Sequence, residues 1–167
     1  MYRVYIITSS DSASRGERED LSGAEIRRML EEFGGYEVVG GVILPDDRDV
    51  LAREMIRIAD EKAADLILTT GGTGFSQRDN MPEATMDACT RMVPGIAEAM
   101  RAYSMTKTPR GMLSRAASGI RAFTLIVNLP GSVKAVRECL ECILPALDHG
   151  IDILKGDAAL CGEEGSE

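Results

Sequence analysis

The order of apolar patterns in the N-terminal half restricts the fold of this chain more than any other feature. Residues 2–8 (YRVYIIT) form a β-rich run. After the polar stretch SSDSASRGEREDLSG, residues Ile26, Met29, Leu30 and Phe33 recur at helical spacing until Gly34-Gly35 stops them. Residues 36–44 (YEVVGGVIL) form a second strand pattern, with a glycine pair inside it, ended by Pro45. Asp46 and Asp47 then precede a helix whose core face is Leu51, Met55, Ile58 and Ala59, and Asp65 to Thr70 supplies a third strand. Parallel neighbours cannot be joined by a tight turn and need a crossover, usually a helix. The pattern therefore predicts an α/β fold: a single three-layer domain, its mostly parallel sheet covered by helices on both faces.

The rest of the chain extends this plan. Pro82 opens a short helix and Pro94-Gly95 another, IAEAMRAYSM. The segment AASGIRAFTLIVNLPGS predicts two close strands joined near Arg121-Ala122, a small antiparallel element near residues 116–128. A last helix carries Val136, Leu140, Ile143, Leu144 and Leu147 on one face, and Pro145 is expected to kink or split it. The 167 residues suit one domain with a full core, assigned to residues 1–156, followed by a frayed, acidic tail over 157–167. There is no internal repeat.

Composition removes several classes of function. A formal charge of -8 without a dense Lys/Arg block argues against a nucleic-acid polymer as partner, though backbone dipoles and a few arginines still suit a small anion. No stretch approaches the ~18 apolar residues of a membrane span, and the N-terminus is expected to be a strand, not a signal peptide. Cys89, Cys139, Cys142 and Cys161 lack the density of a disulfide scaffold, which predicts a reducing, cytoplasmic compartment. Cys139-x-x-Cys142 has no second pair to complete a metal site and is assigned to packing, Cys142 being the more exposed. His149, the one histidine, precedes Gly150 and is expected to face the C-terminal dipole of the last helix. No Ser/His/Asp or Cys/His set is present, so the chain offers no obvious protein nucleophile.

In a parallel sheet, ligands bind beyond the carboxyl ends of the strands. Four polar segments fall at such ends: Ser9–Gly16, Pro45–Asp47, Gly71–Asp79 and Asn128–Ser132. The loop TGGTG matches neither standard nucleotide fingerprint. Its glycines nonetheless permit positive φ and leave N–H groups bare for an anion, and Thr69, Thr70 and Thr73 add hydroxyls. The competing reading is a tight turn with no ligand. Arg78 either pairs with Asp79 or forks onto a phosphate. Asp46 and Asp79 either hold Mg2+ against phosphate oxygens or serve as helix caps and surface charges. Asp11 lies in a turn that commonly caps itself. LSRAASGIR contributes Ser114, Arg115, Ser118 and Arg121, and NLPGS contributes Asn128 and Ser132, the latter also a natural N-cap.

Taken in order and spacing, TSSDSASRGEREDLSG, LPDD, LTTGGTGFSQRD, PEAT, VPGIAEAMR, LSRAASGIR and TLIVNLPGS resemble the MogA/MoaB family of molybdopterin adenylyltransferases from about residue 4 to residue 155. The resemblance implies transfer of AMP from Mg-ATP to the terminal phosphate of molybdopterin, with release of pyrophosphate, in molybdenum cofactor biosynthesis. It also implies a homotrimer and contact with other proteins of that pathway. By position, Asp46 and Asp79 match the family's two functional aspartates, and Gly71, Gly72, Thr73 and Gly74 its ligand loop. Asp11, Ser114, Arg115, Asn128, Gly131 and Ser132 match the lining of its pterin and phosphate pocket. Two departures stand out: Asn80-Met81 before Pro-Glu, where Met81 is expected to narrow the pocket, and Val133 after NLPGS. A carrier or scaffold paralogue without turnover is the alternative, as is a structural trimer domain that docks a partner.

Overall fold

The computed structural model describes residues 1–156; the expected tail, with Cys161, lies outside the described residues. The first half runs β1 (Tyr2–Ser9), α1 (Asp11–Ser14), α2 (Leu21–Phe33), β2 (Tyr36–Leu44), α3 (Arg48–Asp60) and β3 (Leu66–Thr70). Then follow α4 (Met81–Ala88), β4 (Arg91–Met92), α5 (Pro94–Met105), a 3-10 helix (Pro109–Leu113), β5 (Ser118–Arg121), β6 (Thr124–Leu129) and α6 (Val133–Lys155). The sheet order is β2-β1-β3-β6-β5-β4. The pairs β1 with β2, β1 with β3 and β3 with β6 are parallel, whereas β6, β5 and β4 pair antiparallel. The hairpin falls where the sequence predicts it, with Arg121 opposite Thr124.

Alternation along the strands divides the core between the two faces. Val4, Ile6, Leu66, Leu68, Val127 and Leu129 face one way, onto Ile26 and Leu30 of α2 and Leu140 and Leu144 of α6. Ile7, Ile67 and Ile126 face the other way, onto Leu51, Met55 and Ile58 of α3 and Met81 of α4. Both faces being covered, the central strands are continuous apolar runs. The glycine pair in β2 also has a local cause. A side chain at residue 40 would collide with the ring of Tyr5, where the β1–β2 register shifts.

Two expectations about the last helix are corrected. Pro145 does not split it, because α6 is continuous over its 23 residues. His149 is not at its end either: the helix continues to Lys155 and stops at Gly156, which adopts the left-handed conformation (φ 82°) of a helix C-cap. His149 is instead exposed within the helix.

The helices α2 and α6 are tied to each other near the ends that face the strand termini. Glu25 accepts from Arg28 at 2.8 Å and from Arg137 at 2.8 Å. These two guanidinium hydrogen bonds hold its carboxyl down at about 2.

Candidate functional site at the strand ends

Register brings the four polar segments together. Ser9 pairs with Leu44, Thr8 with Thr70, and Thr70 with Leu129, so β1, β2, β3 and β6 end at nearly one level. The chain moves outward from β1 to β2, then crosses back over β1 to β3. The reversal of direction lies between β1 and β3, the place where such sheets leave a crevice. A cleft of 460 Å³ opens there, lined by Ser9, Ser10, Ser22, Thr70, Gly71 and Ser132 among others.

The glycine turn forms one wall of that cleft. Gly71 and Gly72 have φ of 90° and 70°, and a Cβ on Gly71 would fall against the carbonyl oxygen of Ser9. Gly71 is therefore required by close passage of the main chain over β1. A Cβ on Gly74 would lie 2.8 Å from Asp79 Oδ2, so this glycine leaves room for the carboxylate. Among the described residues, the N–H groups of Gly72, Thr73 and Gly74 donate to no acceptor of the chain. Side-chain loss here thus serves backbone packing first, and the bare N–H groups accompany it.

On the other side, two hydroxyls orient the loop before α6. Thr70 Oγ1 donates to the carbonyl of Pro130 at 2.6 Å, and Ser22 Oγ to that of Gly131 at 2.7 Å. Ser132 caps α6, its Oγ accepting from the Ala135 N–H at 3.2 Å. The cap role and the cleft position therefore coincide in one residue. Thr8 Oγ1 donates to Asp20 at 2.7 Å, and Asp20 caps α2 by accepting from the Gly23 N–H at 2.8 Å.

The carboxylates form a separate network on the β2 side. Asp46 accepts from Ser9 Oγ at 2.5 Å and from the Asp11 N–H at 3.1 Å, while its own N–H donates to Asp11 Oδ1 at 2.9 Å. Asp47, not Asp46, caps α3. Arg78 pairs with neither Asp79 nor a backbone group. It forks onto Asp11 at 3.0 and 2.8 Å, and that hydrogen bond, helped by the Asp46 backbone, holds the Asp11 carboxyl below the usual range. Asp79 Oδ2 accepts from the Ser76 N–H at 2.9 Å and closes the turn after the glycines.

Three residues expected to line the pocket are engaged elsewhere. Asn128 is fully buried: its amide donates to Thr69 and Thr85 at 3.0 and 2.7 Å and accepts from the Ala117 N–H at 3.1 Å. Arg115 pairs with Glu83, whose carboxyl it holds low, and donates to the carbonyls of Gly74 and Asp79 at 2.7 and 2.8 Å. Arg115 braces the loop from behind, and Asn128 ties the end of β3, where the loop begins, to α4. Ser114 lines a different cavity, of 180 Å³, beside Arg101, Ser104 and Cys139. Met81 does not line the cleft: it opens α4 fully buried, with its Cβ packed near Gly72. Ser10 lies in the expected Ser9–Gly16 segment, whereas Arg18 and Ser22, which also line the cleft, lie beyond it. Their signal was position, since they fill the connection leaving the carboxyl end of β1.

The donor set can be tested for magnesium. No group of three or more His, Cys, Asp or Glu able to hold a metal exists among the described residues, so these offer no all-protein cage. Mg2+ ordinarily takes one or two carboxylates and fills its shell with phosphate oxygens and water. Asp79 fits that demand, since it keeps one carboxylate oxygen without a partner among the described residues, whereas each oxygen of Asp46 already accepts one hydrogen bond. The cysteines do not form a rival centre: Cys89, Cys139 and Cys142 are free, and burial pushes the Cys139 thiol up to about 11.

Comparison with known proteins bears on the same arrangement. The family model described as "Probable molybdopterin binding domain" matches residues 5–149. A molybdopterin adenylyltransferase of Helicobacter pylori (strain J99) is 42% identical over 160 residues, covering 92% of this chain and 88% of that protein. The enzyme of the same name from Escherichia coli K12 is 35% identical over 155 residues, covering 89% and 79%. The crystal structure of the molybdopterin biosynthesis enzyme MoaB from Thermus thermophilus superposes with a TM-score of 0.88 at 46% identity, covering 93% of this chain and 98% of that one.

Proposed function

Because the chain belongs to the family of probable molybdopterin-binding domains, we infer that it acts in molybdenum cofactor biosynthesis as a molybdopterin adenylyltransferase, moving AMP from Mg-ATP to the terminal phosphate of molybdopterin. The supporting observation is the division of the strand-end site. Asp46 and Asp11 bond to each other, to Ser9 and to Arg78 beside the end of β2, and the hydroxyl-bearing Ser10, Ser22, Thr70 and Ser132 line the cleft next to them.

This chemistry explains why the chain offers no nucleophile. A terminal phosphate oxygen of the acceptor attacks the α-phosphorus of ATP. The new O–P bond forms as the bond to the β-phosphate oxygen breaks, and pyrophosphate leaves with the electron pair. The acceptor is already anionic at neutral pH, so the protein's task is to align two anions and offset their repulsion. Asp46 and Asp79 would hold magnesium, which supplies positive charge to the phosphate oxygens. The turn at Gly71–Gly74 and the loop at Gly131–Ser132 present N–H donors to the substrate. Arg115 keeps that turn in place from behind, Asn128 ties the end of β3 before it to α4, and Asp11 with Arg78 joins it to the first loop. Pyrophosphate release measured with molybdopterin and Mg-ATP tests the reading; a carrier without turnover gives no signal.

The same reading includes a homotrimer in the cytoplasm, in contact with other proteins of the pathway. No helix among the described residues is long and apolar enough to cross a membrane. An apolar groove of 360 Å³ between α5, β5 and α6, lined by Val93, Ile96, Ile120, Leu125 and Leu147, suits the subunit contact. Ile96 belongs to it, whereas Met100 is buried in the protein's own core. Light scattering at micromolar concentration is expected to give a trimer mass for the parent and a smaller mass for Ile96→Glu. A parent at monomer mass overturns the assignment, and a hexamer mass points to the MoaB side of the family.

A further inference from the structure

The arginines expected to meet phosphate are already engaged inside the protein. Arg78 is forked onto Asp11, and Arg115 is held by Glu83 and two loop carbonyls. Arg18 is different. It lines the 460 Å³ cleft, is exposed, and has no ion-pair or hydrogen-bond partner among the described residues. No other lysine or arginine lines this cleft.

The acids beside it do not cancel its use. Asp20 is occupied by the Thr8 hydroxyl and the Gly23 N–H, and Glu19 is exposed on the rim. With Arg18, Glu19 and Asp20 together the rim is net negative, yet the site as read above must admit phosphate groups. Hydroxyls and N–H groups give hydrogen bonds without a full charge. A long, free guanidinium at the mouth supplies that charge, and its planar fork matches two phosphate oxygens. We propose that Arg18 is a substrate-binding residue of the transferase, gripping the phosphate group that enters the cleft. The proposal rests on the adenylyltransferase reading for its substrates. Two sources share this chemistry, the triphosphate of ATP and the terminal phosphate of the acceptor.

The test is calorimetric titration of the parent, Arg18→Gln and Arg18→Lys proteins with inorganic pyrophosphate, Mg-ATP and molybdopterin. Arg18→Gln is expected to weaken pyrophosphate binding about tenfold or more, and lysine to restore part of it, since it keeps the charge and loses the fork. Melting temperature should not move, because the side chain is exposed and unpartnered, so a binding loss is not misfolding. Loss confined to ATP assigns the triphosphate to Arg18, loss confined to molybdopterin assigns the acceptor phosphate, and both support the proposal. Binding of all three within twofold of the parent overturns it, as does a parent that binds none of them. A parent that binds pyrophosphate through Arg18 but releases none in the adenylylation assay overturns the transferase reading instead.

Discussion

Asp79→Asn is expected to lower the rate of single-turnover adenylylation by about a hundredfold or more while leaving molybdopterin affinity within a few-fold of the parent. The geometry makes this a clean substitution. The carboxylate accepts the Ser76 N–H and sits over Gly74, and the asparagine carbonyl can keep that hydrogen bond in the same volume. What is lost is the negative charge available to a phosphate-bound cation. Removing one electrostatic contact of a transition state commonly costs about 10²–10³ in rate and appears in kcat. Cys142→Ser is the control: its thiol reaches only the Ala99 carbonyl, at 3.7 Å, away from the strand ends. Matched binding titrations accompany the rates. Turnover that survives Asp79→Asn within a few-fold sinks the mechanism, and pterin binding that falls in step with rate makes Asp79 a substrate ligand.

Gly71→Ala is expected to be the most damaging single-methyl change in the turn. Its φ of 90° is a region that side chains rarely adopt, and the new Cβ would meet the Ser9 carbonyl, part of the central strand β1. Backbone strain and overpacking each cost about 1–3 kcal/mol, so a loss of roughly 2–6 kcal/mol is expected. At about 2–4 °C per kcal/mol for a chain of this size, the melting temperature should fall by roughly 4–24 °C. Gly131→Ala provides the comparison. Its Cβ would stand 3.5 Å from the Gly71 Cα, an ordinary contact, and its φ is not positive, so stability should change little. Circular dichroism melts of both variants decide it. Equal melting temperatures would mean that the turn at Gly71 yields, contrary to its packing on β1.

The parallel half of the fold was legible because its elements are long enough to show a period. The segments that escaped are short: α1 has four residues and β4 two, too few for periodicity to register. Site residues were legible by type and by place at a strand end, but their partners were not. Arg78 next to Asp79 suggests a local pair, yet the guanidinium reaches Asp11, 67 positions away. Asn128 could have been read better. It shares a face of β6 with the buried Ile126, and that alternation points its amide under α4, toward Thr85, and away from the cleft. Arg115 had no such signal, since its partners Glu83, Gly74 and Asp79 lie 32 or more residues away and belong to other elements.

Two ties, Glu25 of α2 with Arg137 of α6 and Ser22 of α2 with the Gly131 carbonyl in the loop before α6, have a consequence for selectivity. They cross 112 and 109 residues of chain and fix the spacing of the two helix ends that face each other over the cleft. A mouth spanned by two struts is restrained against widening for a bulkier guest. Such a site is expected to select ligands by breadth more than by closing on them, so that little motion would have to reverse before product departs.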